Sequence, residues 1–321
     1  MRISEQKSNT MDVRAALKEA MVRLREAQVP SHTLAAELLL MHVLDCERAG
    51  LYAHPDRSLD GTMVERYFEL VARRISGVPT QYLTGRQEFW GLEFEVTPDV
   101  LIPRPETEHV VEVALERLGQ ETLAGSWGRR REETGLSCTR EGKPLRIADV
   151  GTGSGCLAVA LARELPEAQV FATEISLAAL RVARRNAVRH GVDSRIHFVR
   201  GNLLGAFLHG PRVARQEPLL LDLIVSNPPY VAERESEALP REVREQEPAR
   251  ALFGGEHGLD FYAPLVGQTT NLLAHGGHVV LELSYNALDF VRLLFHSAAW
   301  TNLSVTHDLA GVPRVLAAER A

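Results

Sequence analysis

At 321 residues the chain is longer than a usual single domain, so two domains are expected, and its 45% hydrophobic content is that of a globular protein. Its 42 acidic residues outnumber 36 lysines and arginines for a net charge of −6, which disfavours a protein that grips duplex DNA through a broad basic footprint. No run of 18 apolar residues marks a membrane span, Met1–Lys7 lacks the apolar core of a secretion signal, and Cys46, Cys138 and Cys156 lack disulfide or zinc spacing, so a cytoplasmic chain with free thiols is expected.

Apolar residues at Val13, Ala16, Leu17, Ala20, Met21 and Leu24 recur at helical spacing and predict a helix over 12–28. Ser31 is placed to cap a second helix running through Leu44, and a third fits 61–75. Residues 1–85 therefore form a small helical bundle in which each helix buries one face. Phe89, Leu92, Phe94 and Val96 partly alternate, which suggests a hairpin within a linking segment over 86–104. Pro103 and Pro105 then open a helix over 106–118. Glu106 and Glu108 suit a solvated first turn that complements the helix dipole, whereas Arg104 between two prolines is less ordinary. From about 120 to 143 glycine, serine, threonine and mixed charges, including Arg129–Glu133, read as a solvated insert.

Leu145–Val150, then Gly151-Thr152-Gly153-Ser154-Gly155, then Leu157–Ala162 read as strand, glycine turn and helix. Glycines permit positive φ and close backbone approach, and the helix start adds free N–H groups, so this is a nucleotide-type pocket. A dinucleotide fingerprint would need a glycine where Cys156 stands, and no lysine follows to make a phosphate-binding P-loop. The next strand, 169–174, ends in Glu174, 23 residues beyond Gly151 and near the spacing at which an acid reaches ribose hydroxyls. A strand over 195–199 leads to Gly201-Asn202-Leu203, where an amide and an apolar side chain could meet an adenine edge and face. Asp149 either orients the ligand's amino acid end or is a buried acid bonded to the loop backbone.

The strand 221–226 runs into Asn227-Pro228-Pro229-Tyr230. The Asn227 side-chain carbonyl and the Pro228 backbone carbonyl, held by the restricted dihedrals of two prolines, are paired acceptors for a planar NH2 group. Tyr230 adds an aromatic face for stacking. Ser226 reads as structural, with no Gly-x-Ser-x-Gly elbow around it, and the twelve histidines include no His-Glu-x-x-His, so no metal site is expected. A helix over 261–274, a strand over 277–283 and a closing antiparallel pair, 301–307 with 314–318, complete a doubly wound α/β sheet of seven strands. Its first and fourth strands should lie side by side at the switch point, bringing Gly151 next to Asn227.

Together the glycine loop, the strand-end acid and the Asn-Pro-Pro-Tyr turn resemble a class I S-adenosylmethionine-dependent methyltransferase that methylates amino groups. Three stretches narrow the likeness: Gln81–Gly91, Val100–Glu108 with its Ile-Pro-Arg-Pro-Glu-Thr-Glu, and Leu252–Asp260. With them the chain, from about Gly77 to Arg314, resembles the HemK/PrmC family. That resemblance implies a Rossmann-like fold, S-adenosyl-L-methionine as cofactor, and methylation of the glutamine side-chain amide in the Gly-Gly-Gln motif of bacterial class 1 peptide-chain release factors. It implies Gly151, Thr152, Gly153, Ser154, Gly155, Glu174, Asn202, Leu203 and Asn227 for the cofactor, and Asn227, Pro228, Pro229 and Tyr230 for the substrate. Asn227, Pro228 and Tyr230 would be the catalytic group. Glu174 and Asn202 stand where the family usually or often has aspartate, and both keep acceptor capability. The Leu283–Ala287 stretch after Glu282 departs from the family pattern and takes no role. The bundle would help to dock the release factor or serve as a plain scaffold. The alternatives are an amino methyltransferase acting on adenine or guanine in nucleic acid, for which Arg129–Arg131 is the only basic cluster, and a non-catalytic member.

Overall fold

The computed structural model describes residues 11–119, 139–140, 142–208 and 219–321. They divide into two compact units, one of residues 1–85 with Pro240–Gln246, the other of Arg86–Leu239 with Glu247–Ala321.

In the smaller unit α1 (Val13–Glu26) is capped by the Asp12 carboxylate, which accepts from Ala15 N at 2.7 Å. The helix α2 (His32–Leu44) follows, and α3 (Gly61–Ile75) is capped in the same way by Asp60, which accepts from Met63 N at 2.8 Å. Val13, Ala16, Leu17, Ala20 and Leu24 of α1 close on Leu39 and Leu40 of α2 and on Tyr67 and Val71 of α3. Each fully buried leucine or valine stabilises the bundle by roughly 1.5–3 kcal/mol. Tyr67, buried, satisfies its hydroxyl by donating to Ala36 O at 3.0 Å. Ser31 does not cap α2: its φ of 49° is left-handed and its side chain makes no capping bond, so only its carbonyl serves the helix, accepting from Ala35 N at 2.9 Å. Buried Arg74 of α3 forms an ion pair with Glu242, which brings Pro240–Gln246 into this unit.

The larger unit opens with a hairpin, Arg86–Phe89 against Leu92–Glu95. Its turn, Trp90-Gly91, has positive φ at both residues, the geometry that matches strand twist. Phe89 and Phe94 of the hairpin are buried in the same core as the sheet. After a 3-10 turn, Pro105–Thr107, comes α4 (Glu108–Arg117).

Among the described residues the sheet has seven strands, which we number β1 (Arg146–Val150), β2 (Gln169–Glu174), β3 (Ile196–Arg200), β4 (Leu221–Ser226), β5 (Leu273–Glu282), β6 (Trp300–His307) and β7 (Pro313–Arg320). Their order is β6-β7-β5-β4-β1-β2-β3. β1 to β5 are parallel, while β7 runs antiparallel to both β5 and β6. The doubly wound sheet read from the sequence is present, with β1 and β4 adjacent and Ile224 opposite Ala148. On β4, Leu223 and Val225 enter one core with α5 (Cys156–Glu164), whereas Ile224 enters the other. Burial on both faces is why these strands read as unbroken apolar runs. Helix α6 (Leu177–Arg189) is capped by Ser176, and α7 (Tyr262–Leu272) leads directly into β5.

The start of β5 differs from the expected 277–283. Pairing begins at Leu273 opposite Leu221 and resumes at His278 opposite Leu223, so residues between them bulge. Gly276 has a φ of 70°, and a Cβ on Gly277 would meet Ala274 O at 2.9 Å, so the bulge needs both glycines. The expected solvated insert at 120–143, with Cys138 and Arg129–Arg131, falls mostly outside the described residues. Of that stretch, Thr139–Arg140 is seen pairing with Lys143–Pro144.

Candidate active site

The glycine loop is tied to its neighbours by its own backbone. Gly151 N and Thr152 N both donate to Thr173 O at 2.9 Å, Gly153 N donates to the Glu174 carboxylate at 3.3 Å, and Gly155 N donates to Thr152 O at 2.8 Å. The loop's own N–H groups are therefore largely spoken for, and of the first turn of α5 Ala158 N donates to Asp149. Thr152 and Ser154 are buried, and the Thr152 hydroxyl turns inward to Asp149 at 2.6 Å. Gly151 stays exposed, and a Cβ placed there would meet nothing within 4 Å. Gly155 instead serves helix packing. A Cβ there would lie 3.0 Å from Ala183 Cβ, so its absence lets α5 and α6 approach.

Asp149 is the buried acid bonded to the loop. One oxygen accepts from Thr152 Oγ1 and from Ala158 N at 3.1 Å, and the other has no protein partner among the described residues. Burial pushes its carboxyl up to about 7, against the pull of those bonds.

Three strand ends meet around this loop. Glu174 closes β2, accepts from Ser176 N at 2.9 Å, and offers its backbone carbonyl to Gly201 N at 3.1 Å. That bond draws in Gly201-Asn202-Leu203, where Leu203 is held at a φ of 50° and the next residue, Leu204, donates its N–H to Gln268 at 2.8 Å. A leucine in this region is strained, and such strain gathers at functional sites. Asn202 is exposed. On the opposite side, buried Ser226 donates to Val150 O at 2.7 Å, fastening the end of β4 to that of β1. Asn227 follows at once, beside the glycine loop.

At the turn, Asn227 Nδ2 donates to Thr107 Oγ1 at 2.9 Å. No hydrogen bond among the described residues occupies Asn227 Oδ1 or the Pro228 carbonyl, which leaves two acceptors on one turn. Tyr230 donates its hydroxyl to Glu282 Oε1 at 3.2 Å. Glu282 is buried at the end of β5, and its Oε2 accepts no bond from the described residues. Burial raises its carboxyl to about 7, while the nearby hydroxyls of Thr107 and Tyr230 and the charge of Arg314 oppose the rise. Burial also raises the Tyr230 hydroxyl, with the Glu282 charge adding to it, so Tyr230 stays a neutral donor.

The back of the turn rests on Leu252–Asp260. Val231 N donates to Leu252 O and Gly254 N to Val231 O, both at 2.9 Å. A Cβ on Gly254 would lie 2.4 Å from Pro229 O, and one on Gly258 2.2 Å from Tyr230 O. Only glycine lets this segment lie so close. Arg104 is held by buried Glu247 at 2.5 Å, and Glu247 also accepts from Ile102 N at 3.2 Å. Glu108, expected to be solvated, instead accepts from Trp90 N at 2.9 Å, and burial raises its carboxyl.

Thr107, Glu282, Gly254 and Gly258 were not among the residues expected at the site. Thr107, Gly254 and Gly258 lie within the motifs that carry the family likeness, and an acid closing the apolar run of β5 was the available signal for Glu282.

A doubly wound sheet with this antiparallel closing strand is the fold of class I methyltransferases. Residues 136–249 match the methyltransferase small domain family, and residues 15–85 match the PrmC N-terminal domain. The human Mettl16 catalytic domain, solved with MAT2A 3'UTR hairpin 1, superposes with a TM-score of 0.52 over 83% of each chain, and at 13% identity it shares the fold alone. Release factor glutamine methyltransferase from Koribacter versatilis is 42% identical over 95% of this chain and 98% of its own length. The protein of that name from Moorella thermoacetica is 40% identical over 97% and 99%. The chain belongs to the release factor glutamine methyltransferase family.

Proposed function

We propose that the protein methylates the side-chain amide nitrogen of the Gly-Gly-Gln glutamine in bacterial class 1 peptide-chain release factors, with S-adenosyl-L-methionine as donor. The observation that carries this reading is a pair of acceptors, Asn227 Oδ1 and the Pro228 carbonyl, to which none of the described residues donates, on a turn fastened beside the glycine loop. A primary amide has two N–H bonds to give, and the turn has two acceptors to receive them.

The cofactor fits the neighbouring residues. Gly151 lines open space, the partly exposed Glu174 carboxylate can accept from ribose hydroxyls, and Leu203 and Ile175, the latter 53% exposed, offer apolar surface to a purine face. Gly153, Asn202 and Asn227 are the further residues we assign to the cofactor, while buried Thr152, Ser154 and Gly155 shape the loop from within. When bound, S-adenosylmethionine supplies an electrophilic methyl group.

An amide nitrogen is a weak nucleophile because its lone pair is delocalised into the carbonyl. Asn227 Oδ1 and the Pro228 carbonyl draw on its two N–H bonds, return electron density to nitrogen, and stabilise the positive charge that develops there. Pro228 and Pro229 restrict the backbone of the turn and so keep the Pro228 carbonyl from reorienting. Tyr230 stacks its ring on the amide plane. Orientation of two reactants can supply about 7–11 kcal/mol of the barrier, so no strong base is needed and the proton leaves to water after transfer. The helical unit docks the release factor. Among the described residues no helix is long and apolar enough to cross a membrane, which suits a cytoplasmic partner.

The test is label transfer from radioactive S-adenosylmethionine to a purified release factor. Label should appear on the intact factor and vanish when the Gly-Gly-Gln glutamine is changed; label that persists on that variant would overturn the substrate assignment. Label on nucleic acid in place of the factor would favour a nucleobase amine as acceptor.

A further inference from the structure

We propose that Thr107 and Glu282 are positioning residues for the methyl acceptor: Thr107 decides which end of the Asn227 amide faces the substrate, and Glu282 fixes the Tyr230 ring. The inference rests on the reading of Asn227 and Tyr230 as the acceptor cradle.

An asparagine amide is nearly symmetric in shape but opposite in chemistry at its two ends. With Oδ1 toward the site it accepts from an incoming NH2. Turned over, it presents an NH2 of its own, and two donors face each other. Sterics alone hardly separate these states, so something must. Asn227 Nδ2 donates to Thr107 Oγ1 at 2.9 Å, and Thr107 is only 2% exposed, so water does not compete for that bond. The hydroxyl can accept from Nδ2 when its own proton points elsewhere, and the buried carboxyl group of Glu282 lies near it.

Glu282 acts on the other side chain of the turn. Its Oε1 accepts from the Tyr230 hydroxyl at 3.2 Å and so limits the swing of a half-buried ring. The two substrate-facing side chains are thus held from behind by residues 120 and 52 positions away in the chain. The backbone of the turn is held separately, by Gly254 and Gly258.

The experiment uses the full-length protein with intact release factor, cofactor affinity measured by calorimetry, and side-chain amide NMR of Asn227. Thr107→Val keeps the shape and removes the acceptor; kcat should fall on the order of 10- to 100-fold, with KM for the factor and cofactor Kd within about twofold of wild type. Thr107→Ser, which keeps the hydroxyl, should recover most of kcat. For Glu282, the Gln variant retains an acceptor for Tyr230 and should exceed the Leu variant by on the order of 10-fold in kcat. In the NMR arm, without substrate, the Asn227 Nδ2 protons should exchange slowly in wild type and Thr107→Ser, and fast in Thr107→Val. Wild-type kcat in Thr107→Val, a Ser variant as slow as the Val variant, or equal exchange in all three overturns the proposal. Because the exchange readout needs no substrate, a failed substrate assignment would leave it standing: slow exchange without label on any release factor refutes the acceptor, not the positioning.

Discussion

Replacing Gly254 by alanine should disable methyl transfer without substituting any residue of the Asn227–Tyr230 turn. Gly254 does not require a left-handed backbone, so its constraint is one of space. The added methyl would sit 2.4 Å from Pro229 O, 2.9 Å from Gly258 C and 3.0 Å from Gly258 O. Carbon and oxygen in ordinary contact are about 3.4 Å apart or more, so one of the two segments must move by about 1 Å. Both are backbone, and no flexible side chain is available to give way. A misplacement of about 1 Å in a reacting geometry can cost on the order of 100-fold, which is the expected loss of kcat. The glycine loop is a separate segment, so cofactor Kd should change by less than about threefold. Gly267→Ala is the control: it lies within α7, a Cβ there would meet nothing within 4 Å, and alanine in a helix interior should add roughly 0.5–1 kcal/mol of stability with unchanged activity. Stopped-time methylation assays beside calorimetry would test both variants. A Gly254→Ala enzyme with wild-type kcat would refute the claim that the loop sets the position of the turn.

Asn227→Ala should leave cofactor binding within a few-fold and remove most activity, on the order of 100-fold or more, in single-turnover assays; an unchanged rate would remove the case for paired acceptors. Glu174→Ala should weaken cofactor binding on the order of 10-fold by calorimetry, since charged acceptors make the stronger hydrogen bonds and Glu174 also steadies Gly153. Glu282 predicts a stability profile. Below its ordinary value of 4.5 both folded and unfolded chains hold the proton; between 4.5 and about 7 only the folded chain keeps it, so stability falls as pH rises and the loss is complete just above 7. Glu282→Gln removes that slope, worth up to about 3 kcal/mol between pH 5 and pH 8 in denaturant titrations, and equal slopes for the two proteins would contradict the buried-acid reading. Gly155→Ala forces a side chain to a φ of 84° and to 3.0 Å from Ala183; Tm should drop by several degrees in thermal scans, consistent with roughly 1–3 kcal/mol of strain and overpacking.

The sheet was legible because β1, β2 and β4 are buried on both faces, so their sequences are apolar runs closed by glycine, glutamate and asparagine. Three of the four strand-end loops expected at the site are linked by hydrogen bonds, through Thr173, Glu174 and Gly201, and the fourth is fastened to β1 by Ser226. Less could be read where structure depends on pairs distant in the chain. Thr107 and Asn227 are 120 residues apart, and nothing in either neighbourhood announces the other. The packing role of Gly254 and Gly258 was not legible, because Pro229 O and Tyr230 O, which exclude a Cβ there, belong to another segment. Ser31 has the composition of a helix cap without the backbone conformation that capping needs. The early start of β5 was hidden because Leu273 and Ala274 were read as the end of the preceding helix, and Gly276 suggests a loop where the strand only bulges.

Pro240–Gln246 belongs to the helical unit although the chain on either side of it belongs to the sheet unit. The polypeptide therefore changes unit three times, after residues 85, 239 and 246, and two of those changes fall between Tyr230 and Glu247. No single cut yields two complete modules: a fragment ending at residue 85 leaves buried Arg74 without Glu242, and one beginning at residue 86 carries an orphaned helical segment. For a lineage that shuffles modules this is a lock. The helical unit could be exchanged between relatives only together with a short cassette from the middle of the catalytic gene, which ties the inheritance of the two units together.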